Sequence, residues 1–298
     1  SSLADRSNSF AIGSAASAAG VNAAALGTKA SAANLNSFAL GSSATASADN
    51  ATAIGISSTA SATNASAFGI SSTASNVNSV AIGASSLSSK QNSIAIGIDS
   101  EASGNNALAL GTSSLADRSN SFAIGSAASA IGVNAAALGT KASAANLNSF
   151  ALGSSAAASA NNDTAIGVSS TASNVNSVAI GASSLSSKQN SIAIGIDSEA
   201  SGNNALALGT SSLADRSNSF AIGSAASAAG VNAAALGTKA SAANLNSFAL
   251  GSSATASADN ATAIGISSTA SATNASAFGI SSTASNVNSV AIGASSLS

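Results

Sequence analysis

Asn78-Ser79-Val80-Ala81-Ile82-Gly83 is one of 21 variants of a single phrase, Asn-x-x-Ala-(Ile/Leu/Phe)-Gly, spaced fourteen residues apart from Asn8 to Asn288. The period never slips. A fixed repeat this short means one structural unit stacked on copies of itself, each touching only its neighbours, because fourteen residues cannot enclose a core alone. The chain therefore reads as a solenoid, and ordinary domain-size priors do not apply.

Inside the phrase the pattern alternates. The residue before the glycine is always Ile, Leu or Phe, the one before that is always Ala, and the site two before the Ile/Leu/Phe varies in size: Phe10, Ala24, Phe38, Thr52, Ser66, Val80. Period-two alternation is strand periodicity, so Phe10 and Ile12 share one face while Ser9 and Ala11 share the other. No unit carries Phe at both large sites, which suggests that Phe10 and Ile12 compensate for size inside a core of constant cross-section. A second, weaker strand follows the glycine, with Ala or Ser at its third and fifth residues, as at Ala16 and Ala18. Two strands of about five residues and two short turns account for the fourteen. Asn8 and Gly13, and equally Asn78 and Gly83, suit left-handed turn backbone; Gly20, Asn34, Asn76 and Gly104 suggest the same at the other corner. The charged residues, among them Lys29, Lys90, Asp99, Glu101, Asp117 and Arg118, fall at turns or on the outward face of the second strand. Asp163 is a departure in phase, expected to miss the core positions as well.

Composition narrows the function classes. Charged residues are 6% of the chain and the net charge is −2, which offers no electrostatic footprint for nucleic acid or an anionic membrane. Ser or Asn interrupts every apolar run, so no segment is long enough for membrane insertion, and no signal peptide is seen. A hydrophobic fraction of 45% held at fixed phase, without Pro, argues for order rather than disorder. The absence of His, Cys, Tyr and Trp removes most general bases, nucleophiles and metal ligands, so the chain is not expected to be an enzyme or to hold a metal or cofactor. The paired carboxylates Asp99/Glu101 and Asp197/Glu199 read as a solvated face. Asn50, Asn64 and Asn162 match the glycosylation acceptor pattern, a match that arises freely where Asn stands at every turn.

A longer repeat overlies the short one. Residues 1–112 hold eight units; the second block, 113–210, lacks one unit equivalent to residues 56–69; the third, 211–298, repeats residues 1–88 without a difference. Loss of one whole unit preserves stacking phase, as an array tolerates and a globular domain does not. The expectation is a single continuous array of 21 coils over 1–298, excerpted from a longer chain, roughly 100 Å long at about 4.8 Å per coil.

A coil with small residues on one strand looks under-supported alone, and the constant Ala at the Ala11 phase offers a flat surface for another copy, so a homo-oligomer is expected. At this point the residues carry a resemblance. Asn-Ser-Val-Ala-Ile-Gly (residues 78–83 and 176–181) and Asn-Ser-Ile-Ala-Ile-Gly (92–97), each followed by Ser/Ala-x-Ala-like phases, resemble the YadA-like heads of trimeric autotransporter adhesins. The resemblance covers all 21 units. It implies an all-β, left-handed parallel β-roll with three chains in one trimeric rod. By phase it implies that Val80 and Ile82, and likewise Ile94 and Ile96, fill each roll. Ala81, with Ala11 and Ala95, faces the inter-chain region, and Asn78 and Gly83 shape turns. A bulky Leu at Ala81 is then expected to block assembly.

Function follows as expectation. The first reading is an extracellular adhesive rod on a bacterial cell surface, partnered by itself as a homotrimer and attaching to host, abiotic or cell surfaces. The alternative is a self-associating structural filament or spacer without a specific receptor. An ice-binding solenoid has less support, because Thr28, Thr45, Thr52, Thr59 and Thr73 form no continuous Thr-x-Thr row.

Overall fold

The computed structural model describes residues 1–298 throughout, in two compact units, Ser1–Asn148 and Ser149–Ser298. It is all-β, with no helix. Each unit is a parallel β-solenoid, built of coils of about 14 residues with two strands per coil, and the chain forms about 21 coils in all. The strands are shorter than the alternation suggests. One spans three residues, as in Phe10–Ile12 or Val80–Ile82, and the other only two, as in Ser17–Ala18 or Leu87–Ser88.

Every strand pairs in parallel with its counterpart one coil away, at an offset of fourteen residues: Val80 with Ile94, Ala81 with Ala95, Ile82 with Ile96. Backbone groups outside the strands are satisfied the same way. Gly97 N–H donates to the Ile82 carbonyl at 2.8 Å and Asp99 N–H to that of Ala84 at 2.9 Å, so turns as well as strands are stacked. Buried backbone groups must find partners, and here the next coil supplies nearly all of them.

The interior reverses the expected faces. Ala81 and Ala95 are fully buried inside their coil, whereas Phe10 and Ile12 are 52% and 53% exposed, Ile82 is 39% exposed, and Val80, Ile94 and Ile96 are half-buried on the outside. The inward positions are Ala11, Ala16, Ala18 and Ala23 and their equivalents, occupied by Ala or Ser almost throughout; Ala11 itself, in the first coil, is half-buried. Two strands this short, closed by tight turns, leave room between them for methyl groups and not for isobutyl or benzyl groups. Close packing then fixes the small residues and leaves the large ones free to vary. The alternation located two faces correctly, but the large face is not the core. With Ala81 and Ala95 at zero exposure, the proposed inter-chain role for that phase has no surface to act through.

Serine is admitted to this interior because it satisfies itself locally. Ser37 Oγ donates to the Asn34 carbonyl at 2.7 Å, and Ser58 Oγ to the Gly55 carbonyl at 2.9 Å, each three residues back. A buried hydroxyl with such a partner costs little, which explains the interchange of Ala and Ser at these phases. Asp163 also lies inside, at zero exposure, contrary to the expectation that it avoids the core.

The turns divide unlike the expectation. Asn8 and Asn78 have φ of 59° and 57°, and Gly13 and Gly83 have φ of 134° and 129°. The second left-handed residue, however, is not at the Gly20, Asn34, Asn76 and Gly104 phase. It falls two residues after the repeat glycine, at Ala15 (56°), Lys29 (60°), Ser57 (57°) and Asp99 (54°). The coil is thus two similar seven-residue halves, each opening on a left-handed residue, and only the first half advertises it with Asn.

Candidate interaction surface

Since the core holds only small side chains, the large apolar residues form a surface. The three-residue strands stack their outward positions into two adjacent columns, Val80–Ile94–Leu108–Phe122 and Ile82–Ile96–Leu110–Ile124 within Ser1–Asn148. Ser149–Ser298 repeats the pattern with Val178–Ile192–Leu206–Phe220 beside Ile180–Ile194–Leu208–Ile222. Parallel in-register pairing places like phases side by side, so sequence periodicity becomes a ribbon. The column that precedes glycine is Ile, Leu or Phe in every coil; its partner column is interrupted by residues such as Thr52 and Ser66. Leu110, Phe122 and Leu152 are 39%, 44% and 41% exposed, and the ribbon contains no charged residue.

Two further features flank it. At the corner beyond the glycine stand Ile56, Ile70 and Ile98, 55%, 57% and 54% exposed, at a phase whose sequence signature marks only a turn. The available signal was an Ile directly after a turn glycine, where a solvated residue is normal. At the opposite corner the Asn side chains form a ladder: Asn78 Nδ2 donates to Asn92 Oδ1 at 3.0 Å, and Asn64 Nδ2 to Asn78 Oδ1 at 3.0 Å. The ladder runs from Asn8 to Asn148 in the first unit and from Asn162 to Asn288 in the second, with donor–acceptor distances between 2.9 and 3.4 Å. It is structural, fixing the left-handed turn from one coil to the next.

The outer face of the two-residue strands is mixed: Thr45, Thr59 and Thr73 stand in register with Ser47, Ser61 and Ser75 beside them, and the same column continues through Leu87, Glu101 and Leu115. On that face Ser103 Oγ donates to Glu101 Oε1, and Arg118 meets Asp117 at 3.3 Å with both side chains well exposed. Such an exposed pair contributes little. No cluster of three or more His, Cys, Asp or Glu side chains forms, and no pocket indents the surface. What the arrangement can do is present extended, repetitive area: one face apolar and free of charge, the other rich in hydroxyls with scattered Leu and a few charges.

The family description "YadA head domain repeat" matches the chain in eleven segments: 7–30, 32–58, 60–86, 88–114, 102–128, 130–156, 158–184, 186–212, 217–240, 242–268 and 270–296. Among solved structures, the collagen-binding domain of the Yersinia adhesin YadA is similar, with 27% identity over 55% of this chain and 68% of that one, at a TM-score of 0.28. No curated protein matches.

Proposed function

Because the chain belongs to the family of YadA head domain repeats, the heads of trimeric autotransporter adhesins, we propose that it is the repetitive head segment of a bacterial surface adhesin, assembled from three copies of itself. The family is a structural, non-enzymatic class. The observation that carries the proposal is the apolar ribbon. Soluble chains rarely leave a contiguous face of Ile, Leu, Val and Phe in water, and a coil whose interior admits Ala and Ser, with Asp163 the exception, has no other place to bury them. A second copy covers the ribbon best, since identical chains in the same register match it level for level, and cyclic closure leaves no copy uncovered. The interface is therefore the face of Val80 and Ile82, not that of Ala81.

In this arrangement the hydroxylated strands and the corner residues face outward, where they attach the cell to host, abiotic or other cell surfaces. Broad, repeated, low-charge contact suits avidity rather than a single receptor pocket. A second reading, side-by-side association into filaments, draws support from Ile56, Ile70 and Ile98, which are more than half exposed at the corner beside the ribbon in the single chain.

Solution mass tests the assembly. The expected result is three times the 27.4 kDa chain mass, and a stable monomer would sink the proposal. Ile82→Asp combined with Ile96→Asp is expected to yield monomers with β-rich circular dichroism intact, since both side chains lie outside the coil. Fibres in micrographs that disappear with Ile56→Ser and Ile70→Ser, while mass stays threefold, would support the second reading in addition.

A further inference from the structure

Position 163 is where the second block breaks the rule of its own interior. The same phase carries Ala51 in the first block and Ala261 in the third, both fully buried, and Ser149 and Ser177 in the adjoining coils. Asp163 takes that place with zero exposure. Its Oδ2 accepts the Ala160 N–H at 2.7 Å, while Oδ1 accepts the Ser177 N–H at 3.0 Å and the Ser177 hydroxyl at 2.9 Å. The carboxyl group thus ties its own turn to the following coil.

No cation balances it. The strands packed against it are Phe150–Leu152, Ala157–Ala158, Thr164–Ile166, Thr171–Ala172 and Val178–Ile180, and none of them carries a titratable side chain. A buried charge without a counter-charge is expensive even when hydrogen-bonded. Burial pushes the carboxyl above its ordinary value of 3.8, and the hydrogen bonds from Ser177, Ala160 and Ser159 only partly oppose that push.

We propose that Asp163 makes the coil of residues 162–175 an acid-tightened element, held closed when the carboxyl is neutral and opening locally more readily when it is charged. The sign follows from linkage. A carboxyl whose folded pKa is raised holds its proton more firmly in the closed coil than in the open one. Its stabilising contribution is complete below about 3.8 and is lost as pH rises through the folded value. Coils with Ala or Ser at this phase have no buried carboxyl to titrate, and the coil of residues 260–273 has no titratable side chain at all. Local opening is the relevant event, because a solenoid coil answers chiefly to its neighbours.

The molecule contains its own control, the coil of residues 260–273, built on Ala261. Hydrogen exchange of the full chain, measured at pH 3 and pH 7.5 and corrected for intrinsic rates, is expected to show residues 162–175 gaining protection at pH 3. The gain should approach tenfold for each unit by which the carboxyl is raised, with residues 260–273 unchanged. Asp163→Ala, which restores the residue of the other blocks, and Asp163→Asn, which keeps the shape without the charge, should both abolish the difference. An equal response in the two coils, or a response that survives Asp163→Ala, would overturn the proposal.

Discussion

Forty-two residues other than glycine hold positive φ in this chain, two per coil, and half of them are not asparagine. Left-handed backbone costs most L-residues on the order of 1–2 kcal/mol, with Asn among the exceptions. Ser57 holds this conformation at φ 57°. Replacing it with Asn should raise stability by about 0.5–1 kcal/mol, read from denaturant unfolding. The repeat glycine is the opposite case. A Cβ on Gly83 would lie 2.4 Å from the carbonyl oxygen of Gly97, at φ 129°. Gly83→Ala is therefore expected to lose on the order of 3 kcal/mol or more, and a variant as stable as the parent would show that the coils can separate freely there. Asn78→Ala gives up two ladder bonds and a tolerated left-handed turn together, and should cost about 2 kcal/mol in the same measurement.

At the scale of the coil, the inversion of faces changes what substitutions do. Ala81→Leu places three extra carbons where neighbouring strands already meet at zero exposure, so it should destabilise the coil itself by about 1–3 kcal/mol. Whatever remains folded should keep its assembled mass; loss of assembly with undiminished unfolding stability would restore Ala81 to the interface. The period, the strands, the stacking of coil on coil and the turn positions of Asn78 and Gly83 were legible in the sequence because each is a matter of phase, whereas the parallel direction of the strands came with the family resemblance. Which face is inside was not, since alternation is symmetric and the habit of placing large apolar residues in the core chose wrongly. The deciding signal was tolerance. The Phe10 phase accepts Phe, Ala, Thr, Ser, Val, Ile and Leu, while the Ala11 phase accepts Ala alone, and a packed interior is the less permissive of the two. The left-handed residue at the Ser57 phase left no mark, because Lys, Ser, Ala and Asp all occupy it.

For the molecule as a whole, stability is a sum over neighbours, and the natural loss of one unit from the second block shows how such a sum is edited. Deleting Asn64–Val77 removes one coil and should leave a cooperative β-rich fold of slightly lower stability. Deleting Ala65–Val77, one residue fewer, shifts every later side chain against its neighbour and turns inner faces outward. That variant should aggregate or unfold, as circular dichroism and light scattering would report. The asparagine ladder carries a last consequence. All of its bonds share one sense: in each unit every amide donates toward the C-terminal side and accepts from the N-terminal side. Dipoles in such a column add instead of cancelling, and each bond polarises the next. The column is therefore chemically unlike itself when turned end for end: Asn8 offers an amide oxygen at the start of the chain and Asn288 an amide nitrogen at its end. Fraying and salt sensitivity should differ between those termini, giving the column a direction that its repetitive shape conceals.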